Sequence, residues 1–364
     1  MATQPPFRAD QVGSLLRPPE LREARAKARA GALAPAQLNE VEDRCIRAAV
    51  ARQESLGLRA VTDGEYRRDF WHLDFMSQLD GVGTTAPVGM VFQADDVPPM
   101  ATITAKVRCS KPIMLDHFTF LKSVATATPK LTIPSPAMLH MRGGRNAVSS
   151  RAYPDLAEFW RDAAAAYRTA IGHLGAAGCS YLQLDDVSWA YLCDPKVRDN
   201  FLANGDDPAT LPRIYADLIN DALAQRPAGM AVTMHTCRGN FRSTWFAAGG
   251  YADPVVEAMF STNVDGYFME WDTERAGGFE PLRLLPRDKK VVLGLVTTKS
   301  GALESTDTLR RRIDEATKYV PLERLGLSPQ CGFASTHHGN TLTEDEQWRK
   351  LERVVEVARD VWGA

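Results

Sequence analysis

Four times along this chain an amphipathic helical stretch gives way, through a turn, to a short apolar run that ends in polar residues. Residues 36–56 carry Leu38, Val41, Cys45, Ala49 and Leu56 at helical spacing. Gly57 closes that stretch in the C-cap position, and "LRAVTDGE" then runs strand-like towards Asp63 and Glu65. Residues 154–178 repeat the pattern, with Phe159, Ala163, Tyr167, Ile171 and Leu174 on one face. Gly178 follows, and then "YLQLDD", ending in Asp185 and Asp186. A helix near 212–226 leads to "MAVTMHTC", and one at 307–319 leads to "LSPQCGFAS". "VDGYFMEW" and "KKVVLGLV" read as further buried strands, and residues 345–362 as a closing helix.

Strands that alternate with helices pair in parallel, and apolar strand runs are buried on both faces. The expected fold is therefore α/β, a (β/α)8 TIM-type barrel forming one domain over residues 1–364, with a helical segment at its N-terminal end. Such a barrel needs about 250 residues and tolerates insertions. The strand candidates number one more than eight, which places one outside the barrel. The Gly-, Pro- and Thr-rich stretch 80–107 is the expected inserted hairpin. A doubly wound open sheet is the alternative. In either fold, polar groups at the C-terminal strand ends mark the site.

Composition narrows the function classes. A formal net charge of -2 gives no electrostatic attraction for nucleic acid or an anionic membrane. No run approaches the roughly 20 apolar residues of a membrane span, and the first residues lack the apolar core of a signal peptide. The expected location is cytoplasmic. Six cysteines without a secretion signal do not suggest a disulfide framework. Cys45 and Cys179 fall in helical or helix-exit patterns and read as core, whereas Cys109 and Cys193 fall in irregular segments. Cys237 and Cys331 differ, because each follows a strand-like run among other polar groups.

His235 and Cys237 stand two apart in "MHTC", and in an extended strand residues i and i+2 point to one side. Glu270 ends "GYFME" and Cys331 ends "LSPQC". One imidazole, two thiols and a carboxylate make a tetrahedral zinc set, too soft for magnesium or calcium. The same four residues can equally be a core histidine, two buried thiols and a salt-bridged glutamate.

"HTC", "FMEWDTER" and "PQCGFAS" resemble the zinc-ligand segments of the C-terminal catalytic domain of cobalamin-independent methionine synthases. "QVGSLLRP", "TDGEYRRDF" and "YLQLDD" resemble other strand-end motifs of that domain, in the same order. The resemblance covers nearly the whole chain. It implies a barrel of the methionine synthase and uroporphyrinogen decarboxylase kind, in a single-barrel short form. It further implies zinc held by His235, Cys237, Glu270 and Cys331, with homocysteine as the thiol substrate gripped near Ser14. Glu65 and Asp185 would take its ammonium group. The implied reaction is an S-methyl transfer that activates homocysteine as a thiolate on zinc and forms methionine. The methyl donor would be methyltetrahydrofolate or another methylated compound. Where the family has a histidine thought to help protonate the folate, this chain has Lys299, which would serve as an acid only with a depressed pKa and could otherwise bind an anion. In the segment matching "IPSPAMLH" the family's tryptophan is absent. Alternatives are alkyl transfer to another small thiol, as in epoxyalkane:coenzyme M transferase, and a non-catalytic zinc-binding relative. Trp71 and His72 are candidates for a pocket wall, and Asp186 for a helix cap. Arg238 is a candidate to meet a substrate anion or a surface carboxylate. His140, His337 and His338 receive no role.

Overall fold

The computed structural model describes residues 4–86 and 98–363. Nine strands lie among them: β1 (Ala60–Val61), β2 (Asp80–Thr85), β3 (Met100–Arg108), β4 (Thr128–Pro134), β5 (Tyr181–Asp186), β6 (Ala231–Thr236), β7 (Gly266–Glu270), β8 (Lys290–Val296) and β9 (Leu325–Pro329). Seven form one curled sheet in the order β1-β4-β5-β6-β7-β8-β9, parallel at every step. Every residue of β5, β7 and β9 is buried, as expected for strands covered on both faces. This is an α/β fold with a curled parallel sheet, consistent with a TIM-type barrel.

The helices pack on the sheet where their apolar spacing directs them. In Leu156–Ala176 the buried residues Phe159, Ala163, Tyr167, Ala170, Ile171 and Leu174 form one stripe, and the Asp155 carboxylate caps the first turn by accepting from Ala157 N. The closing helix Glu344–Trp362 begins with a reciprocal capping box between Thr343 and Glu346.

Eight sheet strands were expected and seven are hydrogen-bonded as strands. The difference lies at β1 and the N-terminal segment. β1 is only two residues long because the next backbone group is taken by a side chain: Gln53 Oε1 accepts from Thr62 N, and Gln53 Nε2 donates to Thr62 O. At the other sheet edge, Leu327 N donates to Arg8 O and Asp10 N to Leu327 O, giving a single parallel bridge at Ala9. Beyond it, side chains replace the ladder. Lys130 Nζ, Gln183 Nε2 and Thr62 Oγ1 donate to the successive carbonyls of Gln11, Val12 and Gly13. Leu15 N then donates to Gly64 O, just past β1. The segment is thus tied to both sheet edges and delivers Ser14 to the strand-end face.

Outside this sheet, β2 and β3 pair antiparallel, with a register shift between Asp80 and Val82. Residues 87–97, which join them within the expected 80–107 insertion, lie outside the described residues. Cys193, expected in an irregular segment, ends the short helix Ser188–Cys193, where its sulfur accepts from Ala252 N. Among the described residues no helix is long and apolar enough to cross a membrane.

Candidate metal and substrate site

β6 and β9 each stop just short of a cysteine. His235 is the next-to-last residue of β6, Cys237 is the first residue beyond it, and Cys331 lies two residues past β9. Their potential ligand atoms all lie within 4.8 Å of one another, and all three residues are buried. Cys237 Sγ stands 3.5 Å from Cys331 Sγ and accepts from Gly239 N at 3.2 Å. Both ring nitrogens of His235 are buried without a hydrogen-bond partner. Orphaned buried nitrogens are rare in folded proteins, and here one of the two lies within 4.8 Å of both cysteine sulfurs. One imidazole and two thiols suit a soft divalent ion such as zinc, so the residues present fit the metal. The Cys237 contact holds the Cys331 thiol well below its usual range, against burial, with His235 adding to the effect. The same contact, together with burial, pushes Cys237 well above that range.

Glu270 ends β7 but is not part of this group of three. Its Oε1 accepts from Arg275 Nη2 and from Lys299 Nζ at 3.2 Å, and its Oε2 accepts from Arg238 N at 2.7 Å. Burial works against its charge, yet Lys299, Arg275 and Arg238 outweigh burial and hold the carboxyl at about 2. Lys299 also faces Asp272 at 3.5 Å. Burial lowers its pKa, but Glu270 and Asp272 more than offset this and leave it above its ordinary value. Of the two sequence expectations for Lys299, an acid with a depressed pKa or a cation that binds an anion, this pairing with Glu270 and Asp272 is in line with the second. Arg238, expected to meet a substrate anion or a surface carboxylate, is turned to backbone carbonyls instead. It is 1% exposed and donates to the carbonyls of Gly249, Glu270 and Ala276, so it braces the loop beneath the site.

A cavity of about 600 Å³, counting its open mouth, brings Ser14, Glu65, Asp185, His235, Cys237 and Cys331 together. Of the residues singled out from the sequence, Glu270 and Lys299 do not line it. Gly13, directly before Ser14, has φ +153, and a Cβ there would stand 2.7 Å from Thr132 Cγ2, so only glycine lets the segment approach β4 this closely. Ser14 Oγ accepts from Ala334 N at 3.3 Å. Glu65 adopts φ 60, an uncommon left-handed turn that aims its carboxylate inward. Its Oε1 accepts from Thr132 Oγ1 at 2.9 Å, while Oε2 is buried without a partner. Burial raises its pKa, with Arg68 opposing. Asp185 Oδ1 accepts from Gln183 Nε2 at 2.7 Å. Burial pushes its carboxyl up to about 7, with His235 opposing and Glu65 reinforcing.

Around these groups, Trp71 and His72 form part of the wall. Asp186 accepts from the backbone and hydroxyl of Ser188 at the start of a short helix, as a cap does. Sequence reasoning missed Arg142, Tyr191 and Asn240, which also line the cavity. Their only available signal was position after a strand end, because none belongs to a periodic pattern. His140 is a buried residue bonded to Tyr215, away from the cavity lining. The rings of His337 and His338 lie 3.9 Å apart, also outside that lining.

Residues 7–360 match the family described as cobalamin-independent synthase, catalytic domain. The uncharacterized protein YxjH of Bacillus subtilis is 48% identical over 362 residues, covering 98% of this chain and 95% of its own. A solved structure, the putative vitamin-B12 independent methionine synthase from Listeria monocytogenes, is 40% identical and superposes with a TM-score of 0.80 over 99% of both chains. The methionine synthase of Saccharolobus solfataricus is 24% identical over 359 residues, covering 95% of this chain and 92% of its own. A match of this extent, over a site of this composition, places the chain in the cobalamin-independent methionine synthase family, through its catalytic domain.

Proposed function

We propose that this chain, as one barrel domain, is a zinc-dependent S-methyltransferase that passes a methyl group to homocysteine and forms methionine. The observation that carries the proposal is a single cavity holding His235, Cys237 and Cys331 within 4.8 Å beside two buried carboxylates, Glu65 and Asp185. The relatives' names and the family's methyl-transfer chemistry support it.

A free thiol has a pKa near 8.5 and is only a few per cent thiolate at neutral pH. Zinc bound at His235, Cys237 and Cys331 supplies a Lewis acid at which a thiol gives up its proton while its sulfur stays nucleophilic. The chain's own residues do the rest. Glu65 and Asp185 receive an ammonium group, which explains two carboxylates kept buried against the desolvation cost. Ser14, fixed by Ala334 N, holds the backbone end of the amino acid. Glu270 would complete the set of residues that hold the metal, and to do so it would have to give up its contacts with Lys299 and Arg275. Until then Lys299, with Arg275 and Arg238, keeps that carboxylate ionised. In the transfer, a sulfur lone pair forms the S–CH3 bond, the donor keeps the electrons of the bond that breaks, and the thiol proton leaves to solvent. The donor is methyltetrahydrofolate or another methylated compound.

The test is calorimetric titration of the zinc-loaded protein with homocysteine and with coenzyme M, following proton release. Homocysteine binding with about one proton released is the expected result. Coenzyme M has a sulfonate and no amino group, so binding of coenzyme M alone would transfer the function to another thiol. Silence with both would remove thiol alkylation altogether.

A further inference from the structure

The cavity wall carries a charged group that the reaction above leaves unused. Arg142 lies in the loop after β4 and lines the cavity. Among the described residues no carboxylate pairs with it, and its guanidinium enters no hydrogen bond with them. Burial lowers its pKa, and the ionisable neighbour that opposes this is the Tyr191 phenol, itself kept protonated by burial. His72 lines the same cavity. It is 1% exposed, and both its ring nitrogens lack a partner. Burial first, and then Arg142, keep that imidazole neutral.

The loop that presents Arg142 is locked on both sides. Two residues before it, His140 Nδ1 stands 3.0 Å from Tyr215 Oη and Nε2 stands 3.3 Å from Asp206 Oδ1. Two residues after it, Gly144 has φ +54, and a Cβ there would fall 2.0 Å from Asp206 Oδ2. That same oxygen accepts from Arg145 N at 3.0 Å, and Gly144 N donates to His140 O at 2.7 Å. A guanidinium on a loop so constrained is held ready for a ligand, because the loop cannot carry it to a protein carboxylate elsewhere. Arg142 is only half-buried, so its guanidinium is open to the cavity, and a charged group that faces a cavity without a protein carboxylate is placed to meet a ligand.

We infer that Arg142, with His72 beside it, forms a subsite for an oxyanion, a carboxylate or a phosphate, carried by the second substrate, the methyl donor. The inference rests on the thiol-methylation function proposed above. The planar guanidinium offers forked donors that match either anion, and neutral His72 adds one N–H. The amino-acid thiol meets Glu65 and Asp185, whose pKa values are raised by burial first and opposed by Arg68 and His235 respectively, with Arg142 taking no part. The two polar clusters of the cavity therefore serve two different molecules.

The experiment uses the zinc-loaded full chain as wild type, Arg142→Gln and Arg142→Lys. Thermal unfolding is followed against inorganic phosphate and against benzoate, and calorimetry against homocysteine and coenzyme M. At millimolar phosphate or benzoate the wild type should gain a few degrees, roughly what binding of N alone gives at tens of Kd, with Arg142→Lys keeping part and Arg142→Gln none. The more effective probe distinguishes a phosphate-bearing donor from a carboxylate-bearing one. Homocysteine affinity in Arg142→Gln should stay within about two-fold of wild type. Identical anion responses in wild type and Arg142→Gln, including no response in either, would overturn the inference. So would a loss of about tenfold in homocysteine or coenzyme M affinity, which would make Arg142 the partner of the thiol substrate's own anion. Wild type that binds neither thiol defeats the proposed function, while the anion response still reports on Arg142 separately.

Discussion

The two carboxylates assigned to the ammonium group each have one oxygen hydrogen-bonded by the protein: Glu65 Oε1 takes the Thr132 hydroxyl, and Asp185 Oδ1 takes the Gln183 amide. That leaves capacity for an incoming cation, at a cost to stability that can be measured. Asp185 sits at about 7 in the folded chain, above the carboxylate value near 4 expected when unfolded. The folded state therefore holds its proton more tightly than the unfolded state does, so stability falls as pH rises from about 4 to about 7 and stays lower above that. Replacing the group with Asn removes this term. In zinc-free protein, Asp185→Asn should unfold at higher urea than wild type at pH 8, by roughly 2–4 kcal/mol, and be nearly level with it at pH 4. The same variant, loaded with zinc, should bind homocysteine at least about tenfold more weakly. Equal urea midpoints at pH 8 would mean that water or a rotamer change relieves the charge. The cysteines carry a separate prediction. Cys237→Ser and Cys331→Ser should each lose zinc to well under half an equivalent by elemental analysis, along with activity, because a neutral hydroxyl replaces a thiolate ligand. Full metal content in both would relocate the metal. The carboxylates and cysteines were legible because each closes an apolar run. Arg142 and Asn240 were not, since a loop residue becomes a site residue only when the fold returns its loop to the strand ends.

At the scale of elements, five long helices emerged from the sequence with small boundary errors, because their apolar stripes repeat over several turns, whereas shorter ones such as Leu115–Val124 and Asp253–Phe260 did not. The N-terminal segment beside the sheet edge did not, because side chains there take over bonds that a ladder would make. A buried pair anchors that segment. Asp10 receives Phe7 N, Gln11 N, the Tyr181 hydroxyl and Lys130 Nζ, and Lys130 also donates to Gln11 O. Lys130 is fully buried, and its ammonium stands 4.0 Å from the centre of the Phe268 ring. Burial lowers its pKa, with Asp10 opposing. Removing one partner of such a pair strands the other charge, whereas removing both does not. Lys130→Met should thus cost roughly 3–5 kcal/mol in urea unfolding, and adding Asp10→Asn should recover a clear part of the loss. Additive losses in the double variant would show that the two residues act independently. Because this segment carries Ser14, the single variant should also weaken homocysteine binding without changing zinc content.

The whole molecule joins two systems of different strength. The sheet and its helices enclose a continuous core that runs from Leu73 to Val357 and includes both cysteine sulfurs at its edge. The candidate metal residues only tie the end of β6 to the end of β9, strands already held in one sheet by β7 and β8. A small zinc finger is unfolded without its metal because nothing else holds it. Here a metal bound at these residues would be an addition to strands already held in one sheet. Chelation should therefore leave far-UV circular dichroism unchanged and lower Tm by on the order of 5–10 °C, the mass-action effect of a tight ligand on a chain this large. It should also change the thiol count. With Cys237 and Cys331 sulfurs 3.5 Å apart, the metal-free protein exposed to a mild oxidant should lose two titratable thiols, and reductant should restore them. Zinc occupancy should block that loss. Collapse of the helical signal on chelation would instead make the metal structural, and the site would then be read as a clamp rather than a place for chemistry.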